Sequence, residues 1–225
     1  FPEAVEKLFA GKGVRQVLLV NVWDLMRSRW NFEYRRSLRD AALVVPISKG
    51  IEWGAKFQRK AVPQRYQPFD FMVRLLAVLE GKSKTVYLLG GKQNELQIAE
   101  TNLKQTFPGV RLVGRYTGFF PAELESTIIT AIKKASPDLI FIGRGIAGGD
   151  SWVFKHKDKF NPGIFIYCPE SFDVFSNRRK RVSKSLFLRG LDFLPALIRR
   201  PWRFFRIFVY IYYFLMLIFY RIYRM

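Results

Sequence analysis

A loop of small and basic residues, Gly90, Gly91 and Lys92, follows the apolar run at 85–89 and precedes a predicted helix at 94–107. Glycines in this position let the backbone approach a phosphate closely, and the helix N-terminus favours a negative charge. The sequence therefore predicts that Gly90 and Gly91 bind a phosphate group. The alternative is a purely structural turn, because glycine is common wherever a strand turns into a helix.

Other motifs for phosphate binding or catalysis are missing from the sequence. Gly143, Arg144 and Gly145 are not a dinucleotide fingerprint, because the next glycine falls at Gly148 and no ribose-binding acid follows at the expected distance. The sequence contains no Gly-Lys-Ser/Thr phosphate loop and no Gly-x-Ser-x-Gly nucleophile elbow. One cysteine and one histidine argue against a thiolate or histidine metal site, so we expect no metal and no cofactor.

The elements that must position these loops alternate between strand and helix. Predicted strands lie at 17–20, 41–46, 85–89, 110–113, 138–142 and 163–167, and predicted helices at 3–10, 23–38, 51–57, 69–80, 94–107 and 121–135. This alternation predicts an α/β fold, with a Rossmann-like open, mostly parallel sheet and helices on both faces. Ligands of such sheets bind beyond the carboxyl ends of the strands. Four loops therefore matter most, those after Val20, Val45, Leu89 and Ile142.

The C-terminal segment combines an aromatic run with flanking arginines. Residues 207–220 contain no charge, glycine or proline. As a helix this run covers about 21 Å, which is short for a hydrocarbon core of about 30 Å, so we expect it to lie in the membrane interface or enter one leaflet. The alternative is a buried helix of the globular core. We predict two domains, an α/β body at 1–177 and a helical membrane-binding appendage at 178–225.

The charge of the chain supports a membrane partner. Of a net charge of +20, +11 lies in residues 178–225. A basic block beside an aromatic run indicates an anionic membrane surface. Nucleic acid is the competing explanation for a pI near 10.3. The aromatics form one continuous block and are not spaced as stacking platforms, so we predict no nucleic-acid partner. No signal peptide is recognisable, which predicts a location on the cytoplasmic face of the membrane.

Several segments occur in the order and spacing of a known family. They are YLLGGK at 87–92, GFF at 118–120, PDLIFIGRG at 137–145, SFDVFSNRRKRVSKS at 171–185 and RGLDFLPALIRRPWR at 189–203. Together they resemble the WecG/TagA/CpsF family of bacterial glycosyltransferases, glycosyltransferase family 26. The resemblance covers about residues 14–206, and the order of the motifs is more specific than any one of them.

The resemblance implies an activity, partners and a location. Members of this family transfer an N-acetylmannosamine-type sugar from a UDP-sugar donor to an undecaprenyl-diphosphate-linked acceptor in cell-surface polysaccharide synthesis. Other glycan-synthesis enzymes are candidate partners. The implied location is the cytoplasmic face of the bacterial inner membrane, to which the protein would be attached as a peripheral or monotopic protein.

The resemblance also assigns roles to residues that match family motifs. The implied donor-binding residues are Asn21, Arg65, Gly90, Gly91, Asp150 and Asp173. The implied contacts to the diphosphate of the lipid acceptor are Arg203 and Arg206.

Three polar positions of the family pattern are changed in this chain. A threonine is replaced by Leu19, the catalytic aspartate by Ile47 and a donor-contacting glutamine by Gly149. Ile47 cannot accept the proton of the acceptor hydroxyl, and an inverting transfer needs a base. The candidate substitutes are Glu52, Asp70 and Asp150. The resemblance favours an active hexosyltransferase. The alternatives are an inactive member that binds lipid-linked glycan or a partner transferase at the membrane, and a basic membrane or nucleic-acid binder that shares only the fold.

Overall fold

The computed structural model describes residues 2–192 and 207–223. In chain order the elements are α1 (Pro2–Ala10), β1 (Val14–Val20), α2 (Val22–Trp30), α3 (Phe32–Asp40), β2 (Leu43–Pro46), α4 (Lys49–Phe57), α5 (Pro68–Gly81), β3 (Thr85–Leu89), α6 (Gln93–Thr106), β4 (Arg111–Tyr116), α7 (Glu125–Ala135), β5 (Leu139–Ile142), α8 (Asp150–His156), β6 (Gly163–Tyr167), α9 (Pro169–Phe175), α10 (Lys184–Arg189) and α11 (Ile207–Ile222).

The strands form one six-stranded parallel sheet in the order β2-β1-β6-β5-β3-β4. Three of the four inner strands, β3, β5 and β6, consist mainly of Val, Ile, Leu, Phe and Tyr and are buried along most of their length, as expected for parallel strands covered on both faces. Helices surround the sheet. The predicted α/β class and Rossmann-like sheet are thus confirmed.

The single helix predicted at 23–38 is wrong, because the chain breaks at Asn31 into α2 and α3. The backbone N–H of Asn31 donates to the carbonyl oxygen of Arg27 at 2.8 Å and so ends α2. The Asn31 side-chain oxygen accepts from the backbone N–H of Tyr34 at 2.8 Å and so begins α3. Asn31 thus ends α2 through its backbone and begins α3 through its side chain, which is a common role of asparagine at a helix N-terminus.

The chain folds into two compact units. The first comprises the described residues of Phe1–Leu18 together with Ser37–Val44 and Pro68–Lys180, and the second comprises Leu19–Arg36, Val45–Gln67 and the described residues of Arg181–Met225. The second unit therefore groups the C-terminal helix with two earlier segments. The domain boundary between residues 177 and 178 stays a prediction.

The core of the second unit forms where α11 packs on earlier helices. Tyr213 and Leu217 of α11 are buried against Val22 and Met26 of α2. The opposite side of α11 is apolar and solvent-exposed, at Phe208, Ile211, Leu215, Ile218 and Ile222. One face of the helix therefore belongs to the hydrophobic core of the second unit, and the other face is exposed to solvent. In the described part of the chain no helix has the length and hydropathy needed to cross a bilayer.

Candidate functional site

The loop after β3 has its two glycines for reasons of packing. Gly90 has φ +127°, and a Cβ there would lie 2.8 Å from the backbone of Gly143 in the loop after β5. Gly91 has φ +72°, and a Cβ there would lie 2.9 Å from the ring of Phe172. Both positions require glycine because of backbone conformation and because neighbouring loops approach closely.

The backbone donors of this loop already have protein acceptors. Gly90 N–H donates to the Tyr116 carbonyl at 2.9 Å, and Gly91 N–H donates to the Arg144 carbonyl at 2.9 Å. The next donor, Lys92 N–H, is taken by the Glu95 carboxylate at 2.9 Å, which caps α6. These hydrogen bonds account for the loop without a phosphate, so the predicted contact of Gly90 and Gly91 with the donor stays a prediction.

A buried carboxylate, Asp173, and a partly exposed arginine, Arg144, form an ion pair at the carboxyl edge of the sheet. Asp173 lies on α9, after β6, and its side chain is 3% exposed, whereas that of Arg144, directly after β5, is 32% exposed. Arg144 Nε lies 2.7 Å from both carboxylate oxygens of Asp173, and Arg144 Nη2 also contacts Oδ2. The hydrogen bond to Asp173 raises the pKa of Arg144. Sequence reasoning proposed Asp173 and missed Arg144, whose partner is 29 residues away.

Asp150 and Gly149 lie beside Tyr167, the last residue of β6. A Cβ at Gly149 would lie 3.1 Å from the Tyr167 ring. Asp150 begins α8, and its carbonyl oxygen accepts a 2.7 Å hydrogen bond from Gln16 Nε2. Burial raises the pKa of Tyr167, and the charge of Asp150 raises it further, so the phenol stays protonated at neutral pH. The first unit thus brings Asp150, Asp173, Arg144 and Tyr167 to the ends of β5 and β6.

Asn21 in the second unit has a structural role. Its side-chain oxygen accepts from Asp24 N–H at 3.2 Å, and the Asp24 carboxylate accepts from Asn21 N–H at 2.9 Å. This reciprocal capping box begins α2 directly after β1. The predicted donor contact by Asn21 remains a prediction beside this role.

The residue at the family's base position, Ile47, follows β2 and donates its backbone N–H to the Val20 carbonyl at 2.9 Å. It therefore sits at the strand end, where the resemblance placed a proton acceptor. Glu52, on the adjoining helix α4, is five residues further on. Of the three candidate substitutes, Glu52 belongs to the same unit as Ile47, whereas Asp70 and Asp150 belong to the first unit.

Arg65 is the centre of a charged cluster in the second unit. Its side chain is 3% exposed, lies 3.8 Å over the Phe187 ring centroid and donates to the Phe187 carbonyl. Two carboxylates flank it, Asp192 Oδ1 at 3.4 Å and Glu52 Oε2 at 3.8 Å. Lys49 Nζ pairs with Glu52 at 2.9 Å. Arg65 therefore joins α4, α10 and Asp192, and sequence reasoning did not assign a role to Asp192.

Two further predictions concern lipid contacts and metals. Arg203 and Arg206 lie outside the described residues. Within residues 2–192 and 207–223, no group of three or more His, Cys, Asp or Glu could hold a metal ion.

Burial raises the pKa of the Cys168 thiol to about 12, so this cysteine is not a thiolate nucleophile at neutral pH.

Comparison with known proteins adds family membership to this geometry. Three similar proteins carry the name N-acetylglucosaminyldiphosphoundecaprenol N-acetyl-beta-D-mannosaminyltransferase. The protein of Bacillus subtilis (strain 168) is 23% identical over 171 residues, 76% of this chain and 66% of the relative. That of Bacillus spizizenii (strain ATCC 23059 / NRRL B-14472 / W23) is 26% identical over 77% of this chain and 67% of the relative. That of Staphylococcus aureus (strain NCTC 8325 / PS 47) is 22% identical over 80% and 70%.

The matched part of the chain thus spans about two thirds of the length of these relatives. The family model described as the glycosyl transferase WecG/TagA/CpsF family matches the whole chain, residues 1–225. This chain belongs to the WecG/TagA/CpsF family of glycosyltransferases.

Proposed function

We propose that this protein transfers an N-acetylhexosamine of the N-acetylmannosamine type from a UDP-sugar to an undecaprenyl-diphosphate-linked acceptor in cell-surface polysaccharide synthesis. Family membership and the names of the relatives support the reaction class and the acceptor. The observation that carries the proposal is the polar cluster at the ends of β5 and β6, where Asp173, Arg144, Tyr167 and Asp150 converge. This edge of a parallel sheet is where ligands bind.

We propose Glu52 as the group that removes the proton of the acceptor hydroxyl. It is a carboxylate on the helix that follows Ile47, its side chain is 20% exposed, and Lys49 and Arg65 orient it. General-base catalysis contributes about 10²–10⁴-fold to a rate, so losing this carboxylate would lower turnover by a similar factor.

The second candidate function is an inactive member that binds lipid-linked glycan or a partner transferase at the membrane. Ile47 favours it, because this side chain at the strand end has no proton acceptor. The capping role of Asn21 and the packing role of Gly90 and Gly91 also favour it, since those residues have structural reasons to be present without any substrate.

We further propose that the second unit attaches the protein to an anionic membrane on its cytoplasmic face. The exposed face of α11 is apolar, and Trp30, Phe32 and Trp53 of the same unit are 66%, 69% and 57% exposed. The described residues of this unit contain thirteen Lys or Arg and four Asp or Glu. Aromatic side chains suit the headgroup region, and basic side chains suit anionic lipids.

An assay of sugar transfer separates the two candidate functions. The full chain is incubated with UDP-N-acetylmannosamine and, separately, UDP-N-acetylglucosamine, each with a short-chain polyprenyl-diphosphate-linked N-acetylglucosamine. Transfer that falls about a hundredfold or more in Glu52→Gln, but not in Glu33→Gln on α3, supports the enzyme and its base. Binding of the lipid-linked acceptor without transfer from either donor supports the inactive member. Neither acceptor binding nor transfer would contradict both the enzyme and the glycan-binding member.

A further inference from the structure

The guanidinium of Arg144 is hydrogen-bonded to Asp173 along one edge, and its other edge has no hydrogen bond to the described residues. Arg144 Nε lies 2.7 Å from Asp173 Oδ1 and 2.7 Å from Oδ2, and Nη2 contacts Oδ2. A guanidinium has five N–H donors in a planar fork, and this side-on pair uses one on Nε and one on Nη2. In the part of the chain that the structure describes, Arg144 makes no other side-chain hydrogen bond. The edge formed by Nη1 and the outer N–H of Nη2 is therefore available to a ligand.

The backbone around Arg144 is also fixed. The Arg144 carbonyl accepts from Gly91 N–H at 2.9 Å, and Gly143 N–H donates to the Leu89 carbonyl at 2.7 Å. On the other side, the Gly145 carbonyl accepts from Phe119 N–H at 2.7 Å. A ligand that met this side chain would have little further conformational entropy to remove from it, and this kind of preorganisation raises affinity.

Most hydrogen-bond donors near Arg144 already have acceptors within the protein and cannot bind an anion. The backbone N–H groups of Gly90, Gly91 and Lys92 have protein acceptors, and the carboxylate of Glu95 occupies the N-terminus of α6. Two of the basic residues that follow α9 are also paired, Arg178 with Glu95 at 2.7 Å and Arg179 with Glu170 at 3.4 Å. Arg144 thus combines a fixed position with an open edge at the carboxyl end of the sheet.

We infer that Arg144 binds the diphosphate of the nucleotide-sugar donor through its Nη1–Nη2 edge, with Asp173 acting as a positioning residue behind it. This inference rests on the proposed function. Guanidinium and phosphate form paired, charge-assisted hydrogen bonds, which a planar fork in a fixed orientation suits. The Tyr167 ring nearby offers an aromatic face of the kind that a nucleoside uses. This neighbour favours the donor over the lipid diphosphate.

The competing explanation is that Arg144 only neutralises the buried Asp173. On that view Arg144→Met would weaken phosphate binding indirectly, because the uncovered carboxylate would repel the ligand. The double variant Arg144→Met/Asp173→Asn removes this repulsion. The double variant also replaces both members of the ion pair by neutral groups, and this often lowers the free energy of unfolding less than the loss of one partner does.

The test is calorimetric titration of the full-length chain with UDP, with uridine and with geranyl diphosphate. The ratio of UDP to uridine affinity isolates the phosphate contribution from any damage to the nucleoside pocket. We expect this ratio to fall by about tenfold or more in both the single and the double variant, as for the loss of a charged hydrogen bond. Arg111→Met, at the opposite end of the sheet, makes the same change in charge and should leave the ratio within about twofold of wild type.

Each outcome decides the inference. Recovery of the wild-type ratio in the double variant would overturn it in favour of simple neutralisation. Loss of geranyl diphosphate binding with an unchanged UDP ratio would also overturn it, because the site would then serve the lipid. If wild-type protein binds UDP and both variants keep the wild-type ratio of UDP to uridine affinity, the inference is wrong but the proposed function is not affected. Wild-type protein that binds neither UDP nor uridine defeats the proposed function, and the inference falls with it.

Discussion

The hydroxyl of Tyr213 on α11 donates a 3.2 Å hydrogen bond to the carbonyl oxygen of Gly50 on α4. One turn further along α4, Gly54 lies under the same phenol, and a Cβ there would collide with the hydroxyl and lie 2.9 Å from Cζ. The missing side chain at Gly54 thus lets Tyr213 approach the α4 backbone. Leu217 extends this contact, since its carbonyl accepts a 2.6 Å hydrogen bond from Gln58 Nε2.

We predict that Gly54→Ala destabilises the protein. In a helix interior, alanine is normally more favourable than glycine by about 0.5–1 kcal/mol, because glycine loses more backbone entropy on folding. Here the added methyl group would displace the buried Tyr213 ring, and overpacking typically costs about 1–3 kcal/mol. Chemical denaturation should show a lower free energy of unfolding.

Gly81→Ala is the matched control for Gly54→Ala. Gly81 is the last residue of α5, and a Cβ there would meet no atom within 4 Å. This variant should be neutral or slightly stabilising. Equal stability changes in the two variants would contradict the proposed docking of α11 on α4.

Membrane attachment should depend on the exposed face of α11. We predict that Phe208→Ser/Leu215→Ser lowers the fraction of protein that sediments with phosphatidylglycerol vesicles. These side chains are 63% and 60% exposed, so the folded body should keep its stability while the membrane loses two apolar contacts. Added salt should weaken the remaining binding, because basic residues contribute through screened charges.

The control for this surface is Val62→Ser/Leu188→Ser. Val62 and Leu188 are 52% and 60% exposed in the same unit, but neither belongs to α11. If both double variants lower vesicle binding equally, attachment is not specific to α11. If neither does, the proposed membrane face is wrong.

The sheet could be predicted from the sequence because its inner strands are short apolar runs. Such runs as 85–89 and 138–142 are limited by glycine, proline or charge, and burial on both faces leaves no polar alternation to confuse the prediction. The break at Asn31 could not be predicted, because Asn31 interrupts an otherwise helical pattern and its capping role appears only in the fold. The short helices α8, α9 and α10 were missed since one or two turns carry little periodicity.

The candidate site was less predictable than the fold. Sequence reasoning placed Gly90 and Gly91 in a loop at the carboxyl edge of the sheet, and the family resemblance assigned Asp173 to donor binding, which stays a prediction. It could not show that the glycine N–H groups have protein acceptors or that Arg144 covers Asp173, because both facts depend on loops brought together by the sheet. Arg65 illustrates the same limit, because its partners come from α4 and from residues after Val182, far from it in the sequence.

Arg65 should contribute to stability before it contributes to any ligand contact. We predict that Arg65→Met lowers the free energy of unfolding by about 1–3 kcal/mol, because Glu52 and Asp192 would lose a shared, hydrogen-bonded cation. Lys49→Met, which removes a 36% exposed cation from the same Glu52, should cost less than about 1 kcal/mol. Denaturation without ligand measures both, and an unchanged stability in Arg65→Met would leave Arg65 as a ligand-binding residue only.

The backbone at Gly149 opposes the return of the glutamine that the family has at this position. Gly149 has φ +55°, which is strained for any other residue, and a Cβ there would lie 3.1 Å from the Tyr167 ring. We therefore expect Gly149→Gln to lower the melting temperature. Gly148→Ala is the reference, since Gly148 also has positive φ, +83°, but its Cβ would meet nothing closer than 3.6 Å.

The difference between Gly149→Ala and Gly148→Ala isolates the contact with Tyr167. If Gly149→Ala is the less stable of the two and Tyr167→Phe leaves that difference unchanged, the ring itself opposes a side chain at 149. The glutamine then cannot be restored without moving β6, and Leu19→Thr/Ile47→Asp is the fair test of the lost base. Equal melting temperatures for the two alanine variants would instead make the full triple change, with Gly149→Gln, the appropriate restoration.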